Sequence, residues 1–171
     1  MNFFTHKRLK YIAYALELLL VFIIQCTPNL LPEFLGVRPM LMLVFAMGIS
    51  MFESEGTAMW FGLAAGLLMD LASAHVFGFF AVIFTVCCYA SGALVVFLMR
   101  NNLLTCVILT LGSLLISGLL QWFFFYLLWG DEKAWYYLYA IMLPQIVYSA
   151  VFVPVAFYFN RALATHLTDS D

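Results

Sequence analysis

The chain alternates long apolar runs with short polar breaks. Tyr11 to Thr27, Pro39 to Phe52, Thr57 to Leu71, Phe77 to Met99, Leu103 to Trp129 and Ala134 to Asn160 are apolar, and the breaks hold Pro, Asn, Gly and most of the charge. Inside the runs the apolar residues are continuous, without the period-two alternation of a barrel strand, so each run is predicted to be a helix. The expected fold is an all-α membrane protein, a six-transmembrane-helix bundle that forms a single transmembrane domain over residues 1–171. The second and third runs fall short of the ~20 residues that a perpendicular crossing needs, so they either thin the bilayer or are shielded by protein. The fifth and sixth are longer than a crossing needs and must tilt, kink or extend into the headgroups, with Pro144 and Pro154 as kink sites in the sixth.

Along the third run Ala58, Gly62, Gly66 and Asp70 recur every four residues. That spacing lines three small side chains and one carboxylate on a single helical face, which predicts close helix packing and an interface. The carboxylate needs a partner, because left alone in hydrocarbon it costs at least ~2.5 kcal/mol. If the second and third runs form an antiparallel hairpin that turns at Ser54, Arg38 and Asp70 lie equally far from the turn and reach the same depth. A structural ion pair between them is then expected. The alternative is that Arg38 faces headgroups and Asp70 caps a helix end in water.

Composition identifies the solvent. Hydrophobic residues make up 66% of the chain and charged residues 9%, with a mean hydropathy of +1.05, a balance that points to an integral membrane protein. The first run is followed by Pro28 and Asn29 instead of a small-residue cleavage site, so a cleaved signal is not expected. A net charge of −2 gives no electrostatic case for nucleic acid. With the N-terminus inside, Lys7, Arg8, Lys10, Arg100 and Arg161 lie on the cytoplasmic side, and Arg38 and Lys133 lie outside. This excess places both termini in the cytoplasm and the aromatic cluster around Trp122, Trp129, Trp135 and Tyr139 at the outer interface.

Few residues offer chemistry. Glu17 is an intramembrane acid that must face protein, with Ser91, Thr110, Ser113 or Lys10 as candidate partners and either structural hydrogen bonding or proton relay as its role. Ser113, Ser117 and Gln121 form a polar stripe on the fifth run. With Gln145, Tyr148 and Ser149 the stripe either lines an outward-facing pocket or glues helices together. His75 sits in an outer turn, and Cys26, Cys87, Cys88 and Cys106 lie in apolar runs without metal-ligand spacing. No catalytic triad, paired carboxylates, phosphate-cradling loop or metal cluster can be assembled, so no enzyme, cofactor or metal is expected.

Arg38-Pro39 opening an apolar run, a short polar turn, then Gly62-Leu63-Ala64-Ala65-Gly66-Leu67-Leu68-Met69-Asp70-Leu71 and Gly78 together resemble the MreD family of rod shape-determining membrane proteins. Pro39, Gly62, Gly66, Asp70 and Gly78 are the positions that match the motif, and Gly78 thereby joins the helix-packing and partner-interface set. The resemblance implies a non-enzymatic scaffold in the bacterial cytoplasmic membrane that takes part in peptidoglycan synthesis and cell shape. It implies MreC as partner, within a wider elongation complex of MreB, a glycan polymerase and a transpeptidase, beside membrane lipids and compatible with a homodimer. It also implies a fold similar to the substrate-binding subunits of energy-coupling-factor transporters. The turn holding Glu53 and Glu55 departs from the family, in which it is often basic.

The rival expectation is a substrate-binding subunit of a vitamin or lipid transporter. Such a subunit docks through small residues four apart on its first helix, and Ala13 and Ala15 do not have that spacing. A proton-coupled carrier is a third reading, and it requires Glu17 to titrate.

Overall fold

The elements formed by the described residues are all helical. The computed structural model describes residues 3–27, 30, 36–73, 77–97, 101–128 and 134–168. Expectations for His75, Arg100 and Lys133 fall outside these residues. Helix α1 spans Phe3–Cys26, α2 Leu41–Ser50, α3 Glu55–Ala72, α4 Phe79–Phe97 and α5 Leu103–Trp122, the last running on into a π-helical turn, Phe123–Leu127. After the next break come α6 Ala134–Tyr137, a second π-helical turn Leu138–Met142, α7 Leu143–Val151 and α8 Val153–Thr168.

Two boundaries differ from expectation. The basic leader winds into α1, since Lys and Arg are good helix formers. The last apolar run does not end at Asn160: α8 continues to Thr168, which puts Asn160 inside a helix. Interruptions precede both prolines of this segment, the π-helical turn ahead of Pro144 and a turn at Phe152 ahead of Pro154. Each proline lacks an N–H and crowds the carbonyl four residues back, so the regular ladder cannot pass through it.

Four stretches, Arg8–Cys26, Phe79–Phe97, Leu103–Leu127 and Trp135–Thr165, are long and apolar enough to cross a membrane. The chain is thus an all-α membrane protein. The short second run takes the shielded option: α2 is buried on every side, Phe45 being its one half-exposed residue. It touches α1, α3, α4, α5, α7 and α8, and its methionines and leucines form the centre of the core. Gly48 lets α8 approach, because a Cβ there would lie 2.9 Å from Asn160 Nδ2 and 3.4 Å from the Ala156 carbonyl.

The most extensive helix pair is α3 with α4. Ala58, Gly62 and Gly66 all face α4 and not α2. A Cβ at Gly62 would sit 2.7 Å from the Phe84 carbonyl oxygen, and one at Gly66 would sit 2.5 Å from the Ala81 Cα. From the other side Gly92 of α4 admits the start of α3, with Glu55 Cα and Ala58 Cβ at 3.0 and 3.2 Å from its would-be Cβ. Backbone therefore lies against backbone, which only small residues allow. Gly66→Ala should lower stability by ~1–3 kcal/mol through overpacking. Gly112→Ala, at a helical glycine with open space around it, should leave the melting temperature in detergent unchanged or raised. Circular dichroism melts of the two variants check the contrast.

Candidate functional site

A helix start inside a bilayer exposes N–H groups that water cannot satisfy. At the start of α4 the acceptor is Asp70. Its Oδ2 accepts from the backbone N–H of Gly78 and Ala81, both at 3.0 Å, and its Oδ1 accepts from Phe80 N–H at 2.9 Å. The carboxylate is buried, and its negative charge lies at the positive end of the α4 dipole. Gly78 adopts φ +96°, a conformation that L side chains rarely take, and it turns its own N–H toward Asp70. Nothing lies within 4 Å of its would-be Cβ, so Gly78 serves the turn and not helix packing.

The expected Arg38–Asp70 ion pair is not found among the described residues. Equal distance from the Ser54 turn does not decide the partner, because α3 closes on α4 more tightly than on α2 and both carboxylate oxygens are taken by backbone amides. The alternative expectation, a cap on a helix end, matches the geometry, but the capped end is buried and not in water.

Helix α2 has the same need at both of its ends. Met40 N–H donates to Ser149 Oγ at 2.8 Å and Met42 N–H donates to Gln25 Oε1 at 2.9 Å. At the far end the Asn101 side-chain amide donates to the Met51 carbonyl at 2.7 Å. Pro39, just ahead, is buried and has no N–H to satisfy.

Glu17 faces protein, yet its partner is none of the expected candidates. Asn160 Nδ2 of α8 donates to Glu17 Oε1 at 2.9 Å and also to the Ala156 carbonyl. Lys10 is engaged elsewhere: its ammonium lies 2.6 Å from Glu53 Oε1 and over the Tyr14 ring. The acidic turn is therefore tied to α1 at Glu53. Ser91 and Ser113 donate to Met47 Sδ at 3.5 Å, which ties α4 and α5 to α2, and Ser117 donates to the Leu114 carbonyl of its own helix. Gln121 and Gln145 do share a cavity of about 60 Å³, walled by Trp122, Tyr126, Tyr137 and Met142. A second cavity of about 510 Å³ reaches from Gln145 to Arg38, Pro39 and Gln25. Among the described residues no group of three His, Cys, Asp or Glu side chains stands where it could hold a metal.

Two predictions follow from these bonds. Asp70→Ala should destabilise by ~3 kcal/mol or more, since buried charge-assisted bonds are lost and amides are left unsatisfied, whereas Asp70→Asn, which keeps an acceptor, should fall between; thermal unfolding in detergent reads the order. Glu17→Gln should fold as well as the parent chain, because it keeps the acceptor for Asn160, while Asn160→Ala should cost ~1–3 kcal/mol. Full function of Glu17→Gln in cells would remove the proton-coupled reading.

No curated protein and no solved structure matches the chain. A family model does: rod shape-determining protein MreD matches residues 6–163, nearly the whole length, and includes every bond described above. The chain belongs to the MreD family of rod shape-determining membrane proteins.

Proposed function

We propose that the chain is a six-span, non-catalytic scaffold of the bacterial cell-wall elongation complex that holds MreC in one orientation and so biases which conformations of the complex are populated. The family match over residues 6–163 carries this reading. How the polar groups are used supports it. Asp70, Glu17, Gln25 and Ser149 bond between helices of this chain, which suits a body that keeps one shape. In this reading α2 and α3 complete the six crossings, α2 inside a sheath of other helices. Both termini lie in the cytoplasm, with Lys10, Glu53 and Arg161 toward that face. MreB, a glycan polymerase and a transpeptidase join through the assembled complex.

The partner meets the chain on its exposed apolar sides, since the glycine row of α3 is filled by α4. A photo-crosslinking residue placed singly at Leu16, Val82, Ile116 or Val147, each more than half exposed on a different helix, tests this in cells that express MreC. Capture of MreC from one or two faces, and not from the others, is expected. Capture of lipid alone from all four would sink the scaffold reading.

A further inference from the structure

Glu17 stands midway along the first apolar span, between Arg8 and Cys26, and is almost wholly buried. Half of its carboxyl group is accounted for, since Oε1 accepts from Asn160 Nδ2 at 2.9 Å. The other half is not. Oε2 is buried without a hydrogen-bond partner, and so is Oδ1 of the same Asn160. The Asn160 amide also donates to the Ala156 carbonyl, so both of its hydrogens are spent. Two acceptors are left at one contact, and only a proton on Glu17 gives them a hydrogen to share.

The neighbouring groups do not supply that hydrogen. Lys10, two turns earlier on α1, is held by Glu53 at 2.6 Å. Tyr14, one turn earlier, packs its ring edge-on against Phe61 of α3, and its hydroxyl is itself buried without a partner. Helix α2 packs against both α1 and α8 with no titratable side chain, and presents Gly48, whose Cβ would lie 2.9 Å from Asn160 Nδ2. Helix α3 carries its acids near its two ends, Glu55 and Asp70, and Asp70 is spent on α4. On α8 Arg161 is exposed, and α5 and α7, which also touch α8, carry Cys106 and Tyr148. An ionised carboxylate with a single hydrogen bond is costly at this depth, whereas the neutral acid is not.

We propose that Glu17 is a proton-binding site: Oε2 carries a proton and donates it to Asn160 Oδ1, so that acid and amide exchange two hydrogen bonds and latch the first helix to the last. One proton then satisfies both orphaned atoms and needs no counter-charge. A base that removes it breaks one bond and sets a charged oxygen against a carbonyl oxygen. The latch stands at the head of an apolar cleft of about 370 Å³ that opens between α1 and α8, from Leu16 and Phe159 to Leu9 and Leu163. The proposal rests on this helix pair and not on the scaffold reading.

The whole chain in detergent tests it. Infrared difference spectra of the parent against Glu17→Gln at neutral pH should show the carbonyl band of a protonated carboxyl in the parent alone. Asn160→Ala should move that band to higher frequency, because the acid carbonyl is then freed of a hydrogen bond. Glu17→Gln keeps one donor and one acceptor toward Asn160, so it should fold. As the pH is raised, the melting temperature of the parent should fall by about 4 °C relative to that of Glu17→Gln, the loss of one buried bond. Both chains share Lys10, Tyr14 and Glu53, so the titration of these groups cancels in the comparison. Carboxylate bands in place of the carbonyl band would mean an ionised Glu17 served by water or a cation. An unmoved band in a folded Asn160→Ala would remove the reciprocal bond. Parallel pH profiles of parent and Glu17→Gln, or a Glu17→Gln chain that does not fold, would remove the latch. Each of these results overturns the proposal.

Discussion

Broken backbone inside a membrane has no water to turn to, and the rest of this structure is arranged around that constraint. A ten-residue helix lies at the centre of the bundle, and its ends expose N–H and C=O groups well within the protein. Side chains from three other segments meet them: Gln25 from α1, Ser149 from α7 and Asn101 from the stretch before α5. The start of α4 is met by Asp70 of α3 in the same way. Each of these bonds also fixes the relative height of two helices, so one set of contacts satisfies the backbone and sets the register of the bundle.

The glycine row and the acid at its end are parts of one device. A carboxylate reaches three amides of a neighbouring helix only when the two backbones are very close, and Gly62 and Gly66 permit that closeness to α4. A single added methyl group at Gly66 would have to displace Ala81, whose N–H is one of the three that Asp70 holds. Gly78 completes the device by taking the positive φ that brings its own amide into range. Packing and capping at this hairpin therefore stand or fall together.

Much of this was legible in the chain. The apolar runs mark the helices, the spacing of four marks the face that is buried, and Pro144 and Pro154 mark the two interruptions. Partner choice was not legible. The distance of Arg38 and Asp70 from Ser54 constrains depth but says nothing of which neighbouring helix a face meets, and α3 has neighbours on both sides. Asn160 was missed because Arg161 looked like the end of a span. Ala156 and Asn160, four apart and opposite Gly48, are the signal that could have found it. Ser113 and Ser117 were ambiguous for a related reason: a hydroxyl on an apolar helix looks the same whether it faces a pocket or a methionine-rich neighbour, and only the position of α2 decides.

The distribution of bonded polar groups bears on how such a protein can work. A carrier that alternates between two shapes must let its interior groups exchange partners at each turn of the cycle. Here an interior exchange would strip Met40 and Met42 of their acceptors, or take Asp70 from three amides at once. Each orphaned buried group would cost about 1–3 kcal/mol, and several would be orphaned together. Such exchange is cheaper at the periphery, where the Lys10–Glu53 pair lies outside the interlocked centre. A rigid centre with an adaptable rim transmits position, not displacement, which is the property that the proposed scaffold needs.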